Sequence, residues 1–155
     1  MAPPIKLKPK NSNSGSLTID AIEIKRTPGT PKRGGGKGGE AWVVLANGER
    51  AGTAYINIIN DSIRGIHPSI HLYLNRPSQG RHIGRIAYQL CCELSKYDVV
   101  YAHMRKSNIA SRKAAEYAGF IAVTEHKESQ LVLMRSRNSL KTDNIVQPST
   151  INIDP

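Results

Sequence analysis

The sequence predicts an α+β (mixed α/β) fold with a central, mostly antiparallel sheet flanked by helices. Seven short segments have the apolar patterning of strands, and two longer ones have the spacing of amphipathic helices. One strand–helix–strand unit within an otherwise antiparallel order implies a mixed sheet. Asn47-Gly48, between two of the apolar segments, is the strongest short signal for a β-hairpin.

The first half of the chain contains only predicted strands. Residues 16–26 alternate with one slip at Ala21, which is typical of a strand with a bulge. Residues 41–46 and 50–59 form the two arms of the predicted hairpin. Residues 70–75 alternate cleanly and predict a fourth strand.

The second half mixes helices and strands. Residues 85–96 have a helical apolar stripe, and residues 98–104 form a short apolar strand. The next helix begins at Ser107 or Asn108, either of which is a good N-cap, and ends at Gly119. The chain then closes with a hairpin of residues 120–124 and 130–135.

The chain of 155 residues has room for one domain, which we place at residues 16–136. Residues 1–15 lack periodicity and predict a disordered basic arm. Residues 137–155 are polar and predict a flexible C-terminal tail.

Composition excludes several classes of protein. No apolar run approaches the ~18 residues of a membrane helix, and the N-terminus lacks the apolar core of a secretory signal. The two cysteines, Cys91 and Cys92, are adjacent and cannot provide a disulfide framework or a four-ligand zinc site. We therefore expect a cytoplasmic protein without a metal. The net charge of +10 suits an anionic ligand, although aromatics at 5% are too few for a stacking surface on nucleic acid.

A short glycine-containing segment, residues 79–85, joins a predicted strand to a predicted helix. Backbone N–H groups in such a turn, together with the helix dipole, bind phosphate or pyrophosphate. A dinucleotide fingerprint from Gly80 would require glycine at His82 and Arg85, and a P-loop in residues 34–39 lacks its G-K-[ST] ending. Taken alone, the segment also fits a tight turn with no ligand.

Two segments together resemble a known family. Residues 79–85, Gln-Gly-Arg-His-Ile-Gly-Arg, resemble the Q/R-x-x-G-x-G/A coenzyme A loop of GNAT acetyltransferases. Residues 108–120, from Asn108 through Ser111 to Gly119-Phe120, resemble the N-x-x-[AS]…G-F helix that follows in that family. The resemblance covers residues 70–135 well and residues 16–59 by strand order only.

The resemblance implies a sheet that is splayed at the coenzyme site, acetyl-CoA as the cofactor, and a set of binding residues. The loop would wrap the pyrophosphate, the preceding strand would offer backbone groups to the pantetheine arm and thioester, and the second helix would meet the arm and a phosphate. The residues implied are Leu72, Tyr73, Leu74 and Asn75 of the strand, Gln79, Gly80, Arg81, His82, Ile83, Gly84 and Arg85 of the loop, and Asn108, Ser111 and Arg112 of the helix.

The sequence departs from the family pattern at two positions. His82 stands where the first motif glycine usually is. Ala115 stands where the family often has the tyrosine that protonates the leaving thiolate. Tyr117 lies two residues later, about 200° around the helix, so we expect it to face elsewhere.

Four residues near the expected thioester are candidates for proton transfer. Histidine suits a general base, and tyrosine suits an acid opposite a thiolate. His71 and Tyr73 share one strand face, and Tyr101 and His103 share a face of the next parallel strand. His67, before Pro68, is interpreted as a loop residue. A covalent acyl-cysteine at Cys91 or Cys92 is the weakest of the alternatives.

The segment of residues 27–39 bears on the acceptor. GNAT folds usually place a pair of helices here, but Pro28, Pro31 and six glycines predict a loop instead. Lys32, Arg33 and Lys37 would give this mobile loop a positive rim on an open acceptor cleft.

Three functions follow from these expectations. The first is an acetyl-CoA-dependent N-acetyltransferase acting by direct attack of a small or macromolecular amine. The second is a transferase of another acyl or aminoacyl group to nucleic acid, DNA base or tRNA. The third is a non-catalytic coenzyme-binding module. The resemblance also implies a homodimer through the closing strands, and no contact with a membrane is expected.

Overall fold

The structure, a computed structural model, describes residues 21–137 of the chain. Its elements, in chain order, are β1 (Ile22–Thr27), β2 (Glu40–Ala46), β3 (Glu49–Asp61), β4 (Gly65–Leu74), a 3₁₀ turn (Arg76–Ser78), α1 (Ile83–Leu94), β5 (Val99–Met104), α2 (Ile109–Tyr117), β6 (Ile121–Ala122) and β7 (Leu131–Ser136). The described strands form one sheet in the order β1–β2–β3–β4–β5–β7–β6, in which only β4 and β5 run parallel. The predicted mixed, mostly antiparallel α+β fold is confirmed.

The hairpin between β2 and β3 turns where the sequence predicts. Asn47 and Gly48 have φ angles of 51° and 79°, so both are left-handed. Two consecutive left-handed residues are typical of a type I′ turn, whose twist matches that of the strands it joins. This hairpin sets the register from which β3 extends to pair with β4.

Strand β4 is longer than the sequence predicts, since it begins at Gly65 rather than Ile70. The prediction stopped short because Pro68 lacks an N–H group and usually interrupts a ladder. In the structure Pro68 pairs with Ile58 of β3, and the other side of β4 pairs with β5 only at Ser69. On the side of β4 that faces β5, Pro68 has no partner in the ladder. Its lack of an N–H group therefore costs the sheet no hydrogen bond.

Strands β4 and β5 are neighbours that separate. Within residues 21–137 their one paired position is Ser69 with Tyr101. Both strands continue beyond it, β4 to Leu74 and β5 to Met104, without further pairs. The sheet is thus splayed toward the carboxyl ends of these strands, as expected.

Both helices pack on the same face of the sheet. A Cβ atom added at Gly84 of α1 would lie 3.5 Å from Leu72 Cδ2 and 3.4 Å from the Cβ of Ala114 in α2. The buried core on this side includes Val44, Ile56, Ile70, Ala87 and Cys91. In the described part of the chain no helix covers the opposite face.

A buried carboxylate fixes the far end of α1. Glu40, at the start of β2, is 2% exposed and accepts hydrogen bonds from the Ser95 hydroxyl (2.5 Å) and the Lys96 N–H (3.3 Å) just after the helix. The Arg26 guanidinium donates a third at 3.0 Å. A buried charge with several donors is stable where an unpaired one is not, so this contact holds α1 in place over the sheet.

The two ends of the chain, which we predict to be a disordered arm and a flexible tail, lie mostly outside the described residues. These are the arm (1–15), the beginning of the first predicted strand (16–20) and the tail beyond residue 137. Arg137, which we assigned to the flexible tail, is instead anchored. Its N–H donates to the Asp98 carbonyl at 2.8 Å, and its guanidinium donates to the Ser95 carbonyl at 2.6 Å.

We predict that Gly52→Ala lowers the free energy of unfolding by about 2–3 kcal/mol, because overpacking at a close contact strains the backbone. The added Cβ would lie 2.0 Å from the Tyr73 carbonyl oxygen, where β3 meets the end of β4. Gly48→Ala is the control: its Cβ meets nothing within 4 Å, so only the left-handed φ costs about 1 kcal/mol. Urea denaturation measures both, and equal losses would contradict the close-contact explanation.

Candidate active site

A cleft with a volume of about 660 Å³ opens beside the diverging end of β4. Its walls are the end of β4, the turn that follows it, α1 and the beginning of α2. Eleven of the residues predicted to bind coenzyme line it: Leu72, Tyr73, Leu74, Gln79, Gly80, His82, Ile83, Gly84, Arg85, Asn108 and Ser111.

Three residues of that prediction do not line the cleft. The amide of Asn75 donates to the Arg50 carbonyl at 2.8 Å and so ties the end of β4 to β3. Arg112 donates to Glu116 at 2.6 Å, one turn along the exposed side of α2. Arg81 is half-buried in the turn and is also absent from the lining. The sequence placed these side chains in the correct segment but could not give their directions.

The cleft contains residues that the sequence reasoning missed: Ser78, Tyr88, Ala110, Lys113, Ala114 and Tyr117. Tyr88 follows Gly84 by four residues, so the helical repeat alone places it on the same face. Burial raises the pKa of Tyr88 to about 12, although a hydrogen bond with Ser111 opposes the shift. Its hydroxyl therefore keeps its proton at neutral pH and is a hydrogen-bond donor inside the cleft.

Tyr117 corrects our expectation. It does lie on a different face of α2 from Ala115, which is fully buried. That face nevertheless borders the cleft, because α2 lies beside the beginning of α1. The Tyr117 ring lies 4.4 Å from the Arg85 guanidinium carbon, a stacking distance that holds this cation at the rim.

The turn before α1 has the geometry of an anion site. Gly80 and His82 are left-handed, with φ angles of 72° and 61°. Left-handed residues that alternate with residues of the ordinary conformation direct successive backbone N–H groups to one side. In addition, the N–H groups in the first turn of α1 have no acceptor within the helix. His82 thus adopts the conformation for which the motif uses glycine, and its ring accepts a hydrogen bond from Arg85.

The charges around the cleft are of one sign. Arg85 and Lys113 are cationic, and the lining residues in the described chain include no carboxylate. The N-terminus of α1 adds a partial positive charge at the same place. The cleft therefore favours an anionic group next to its glycine turn.

The gap between β4 and β5 has an unpaired polar group at its base. The Ser69 hydroxyl is fully buried, and no described residue bonds with it. Buried polar groups without partners are rare and cost about 1–3 kcal/mol. Because this hydroxyl is also closed to solvent, a ligand would meet it only if the gap opened further.

The four predicted proton-transfer residues are divided between two places. Tyr73, 69% exposed, borders the cleft. His71, Tyr101 and His103 lie on the helix-free face beside the gap, where His71 stacks on Tyr55 with 4.9 Å between ring centres. Burial, and then repulsion from His103, lowers the pKa of His71 below its ordinary value. His71 is therefore neutral at physiological pH and is able to accept a proton.

His67 is not a loop residue but part of β4. It is 4% exposed, and its Nε2 lies 2.9 Å from Nε2 of His103. The Tyr101 ring packs edge-on against His67 at 4.8 Å. Asp61, from the end of β3, lies beside both histidines. The sequence could not reveal this cluster, because its members are up to 42 residues apart and only the sheet register brings them together.

The sequence of residues 21–120 matches the model of the "Acetyltransferase (GNAT) family". That match covers more than half of the chain. The chain belongs to the GNAT family of acetyltransferases. No curated protein matches it significantly in sequence.

Solved structures agree with this GNAT assignment at the level of the fold. The aminoglycoside acetyltransferase AAC(6')-Ib, solved with coenzyme A and kanamycin, has a TM-score of 0.58 at 18% identity, covering 69% of this chain and 72% of that one. RimJ of Mycobacterium smegmatis, in complex with CoA-disulfide, has a TM-score of 0.52 at 19% identity, over 66% of this chain and 55% of RimJ. In the described residues of this GNAT chain no helix is long and apolar enough to span a membrane.

The cysteines take no part in the GNAT site. Cys91 and Cys92 are buried in α1, and burial raises the pKa of both thiols, that of Cys92 to about 12. A thiol that keeps its proton is a poor nucleophile. The acyl-cysteine alternative therefore has no structural support.

The segment before β2 is a loop without a helix, as predicted for this GNAT chain. It is, however, anchored rather than mobile. The side chain of Asn57 in β3 accepts from the Gly34 N–H and donates to the Lys32 carbonyl, both at 2.8 Å. The side chains of Lys32, Arg33 and Lys37 remain exposed.

We predict that the free energy of unfolding falls as the pH is lowered from 7.5 to 5.5. The folded-state pKa of His71 is below its ordinary value of 6.5, so the unfolded chain takes up the proton first. Burial, and then repulsion from His67, lowers the pKa of His103 as well, so His103 contributes to the loss in the same direction. His71→Phe retains the stacking on Tyr55 and removes the titration, so urea denaturation at several pH values should show a smaller loss. An unchanged pH dependence would contradict the burial of a neutral His71.

Proposed function

We propose that this chain is an acetyl-CoA-dependent N-acetyltransferase that modifies the amine of a macromolecule. The observation that carries the proposal is the parting of β4 and β5 next to a cleft with a glycine turn at one end. A cosubstrate with a diphosphate, a long polar arm and a reactive end matches these features: the diphosphate the glycine turn, the arm the cleft, and the reactive end the gap between the strands.

The residues of the cleft fit coenzyme A. The N–H groups at the beginning of α1 and in the left-handed turn would hold its diphosphate, with Arg85 supplying a positive charge. Asn108 and Ser111 at the beginning of α2 would face its amide-containing arm. The complexes of AAC(6')-Ib with coenzyme A and of RimJ with CoA-disulfide support this assignment by fold alone.

The gap between the strands would hold the reacting end. Acetyl-CoA supplies a thioester, whose acyl carbon an unprotonated amine attacks. Neutral His71 beside the gap is able to take the proton of the amine. The Tyr88 hydroxyl, which keeps its proton, is the donor within the cleft that stands in for the tyrosine absent at Ala115.

The acceptor would approach from the helix-free face. Kanamycin, bound by AAC(6')-Ib, is an amine, which supports an amine acceptor. On this chain the described residues leave that face without a helical wall, so it admits a group attached to a large molecule. The basic loop borders the same face, since Asn57, which anchors it, pairs with Ser69 of β4.

The basic loop also favours a second candidate, the transfer of another acyl or aminoacyl group to nucleic acid. Ala115, in place of the family's tyrosine, motivates a third, a module that binds coenzyme without turnover. Free-thiol release from acetyl-CoA with small amines, peptides, DNA and tRNA separates the three. Release with a peptide supports our proposal, nucleic-acid affinity without coenzyme binding favours the second candidate, and tight coenzyme binding without release favours the module.

We predict that Gly84→Glu combined with Gln79→Ala weakens coenzyme A binding at least tenfold. The longer side chain would enter the space between Leu72 and Ala114, and its charge would repel the diphosphate. Ser129→Glu, an exposed position in the loop before β7, adds the same charge away from the cleft and should leave the affinity unchanged. Calorimetric titration measures all three proteins, and equal affinities would refute the loop assignment.

We predict that replacing Lys32, Arg33 and Lys37 by Ala makes the binding of a polyanion less dependent on salt. Loss of three phosphate contacts should reduce the slope of log K against log salt by about 2 to 3. Lys113→Ala, which removes one charge on the cleft side, is the comparison variant. For this variant the quantity measured is the affinity for coenzyme. An unchanged slope in the triple variant would remove the loop from the acceptor site.

A further inference from the structure

Three side chains on the helix-free face form a cluster that the acetyl transfer described above does not require. Asp61 comes from the end of β3, His67 from β4 and His103 from β5. Two imidazoles and a carboxylate are the donors that bind zinc and related transition metals. The sheet brings them together from three separate strands.

The spacing of the three ligand atoms fits one metal ion. Nε2 of His67 lies 2.9 Å from Nε2 of His103, and Asp61 Oδ2 lies 3.7 Å from the first and 4.0 Å from the second. These three separations average about 3.5 Å, which is the spacing of ligand atoms around a tetrahedral ion with Zn–N and Zn–O bonds of about 2.0–2.2 Å. The cluster therefore surrounds a position at coordination distance from all three atoms.

Hydrogen bonds outside the triangle orient the ligand atoms toward its centre. His67 Nδ1 donates to the Gly65 carbonyl at 2.8 Å, so in the neutral ring the lone pair is on Nε2. Asp61 Oδ1 accepts from the N–H groups of Ile63 and Arg64, at 2.9 and 2.5 Å. Oδ2 is thus the oxygen that faces the histidines. Metal-binding histidines in general have such a backbone carbonyl as their second partner.

The local charge balance also favours a cation. Arg64 lies 3.5 Å from Asp61 Oδ2 and would by itself oppose a metal. Glu128, however, accepts from both terminal nitrogens of that guanidinium, at 2.5 and 2.8 Å. The three charged groups sum to −1 before an ion binds, and the arginine is held by the glutamate.

We propose that Asp61, His67 and His103 form a zinc site. Three protein ligands leave a fourth position of the tetrahedral ion for water or another small ligand, an arrangement typical of catalytic zinc rather than structural zinc. His103 and Asp61 have side chains that are 12% and 28% exposed, so this position is reached from the helix-free face. The proposal does not depend on acetyl transfer.

The test is titration of the untagged, EDTA-treated chain with Zn²⁺ in competition with a chromophoric chelator. We expect one equivalent to bind and to raise the midpoint of thermal unfolding. Asp61→Asn and His103→Gln should each weaken binding at least tenfold. They are preferred to a change at buried His67, which would also affect folding. Mg²⁺, which prefers oxygen ligands, should not compete.

The controls separate this site from other zinc ligands on the chain. His126→Gln changes an exposed histidine outside the cluster and should bind zinc as the parent does. Zinc X-ray absorption should show nitrogen and oxygen neighbours at about 2.0–2.2 Å and no sulfur at about 2.3 Å, which excludes Cys91 and Cys92. Any of three results would overturn the proposal. These are the absence of saturable zinc binding, sulfur in the coordination shell, and a loss of zinc affinity below tenfold in either Asp61→Asn or His103→Gln.

Discussion

The structure depends on the single paired position between β4 and β5. Parallel strands in a sheet usually exchange hydrogen bonds along their length, but here Ser69 and Tyr101 are the pair that joins them in residues 21–137. Their separation beyond that point leaves strand edges without ladder partners, and the Ser69 hydroxyl, at the paired position, is buried without a hydrogen-bond partner among the described residues. In the function that we propose, a ligand with its own amides and carbonyl would occupy this gap.

The separation of these strands gives the two faces of the sheet different properties. On one face, α1 and α2 pack over an aliphatic core and leave a cleft with an anion-binding turn at one end. On the other, a layer of histidine and tyrosine side chains lies without a helical cover in the described chain. The buried Glu40 and its donors keep α1 aligned with the cleft. This arrangement is the basis of our proposal that cosubstrate and acceptor reach the gap from opposite sides.

Strain and charge are concentrated around this gap. His82 adopts a left-handed conformation that costs a non-glycine residue roughly 1–2 kcal/mol, and it does so in the turn that would hold a diphosphate. Beyond the gap, Arg64, Glu128 and Asp61 form a chain of ion pairs next to two histidines. The two ligands that we propose, a diphosphate on one side of the sheet and a zinc ion on the other, would lie next to these two features.

The sequence by itself determined the order of strands and helices, the hairpin at Asn47-Gly48 and the segment that forms the glycine turn. Each of these is set by local chemistry: alternation, turn residues and helix caps act over a few residues. The sequence could not determine that Pro68 lies within a strand or that Tyr117 borders the cleft, because both follow from packing between segments. Only the tertiary structure brought Asp61, His67 and His103 together, since contacts between side chains on different strands depend on which strands become neighbours and on how the sheet twists, and local patterns do not give either.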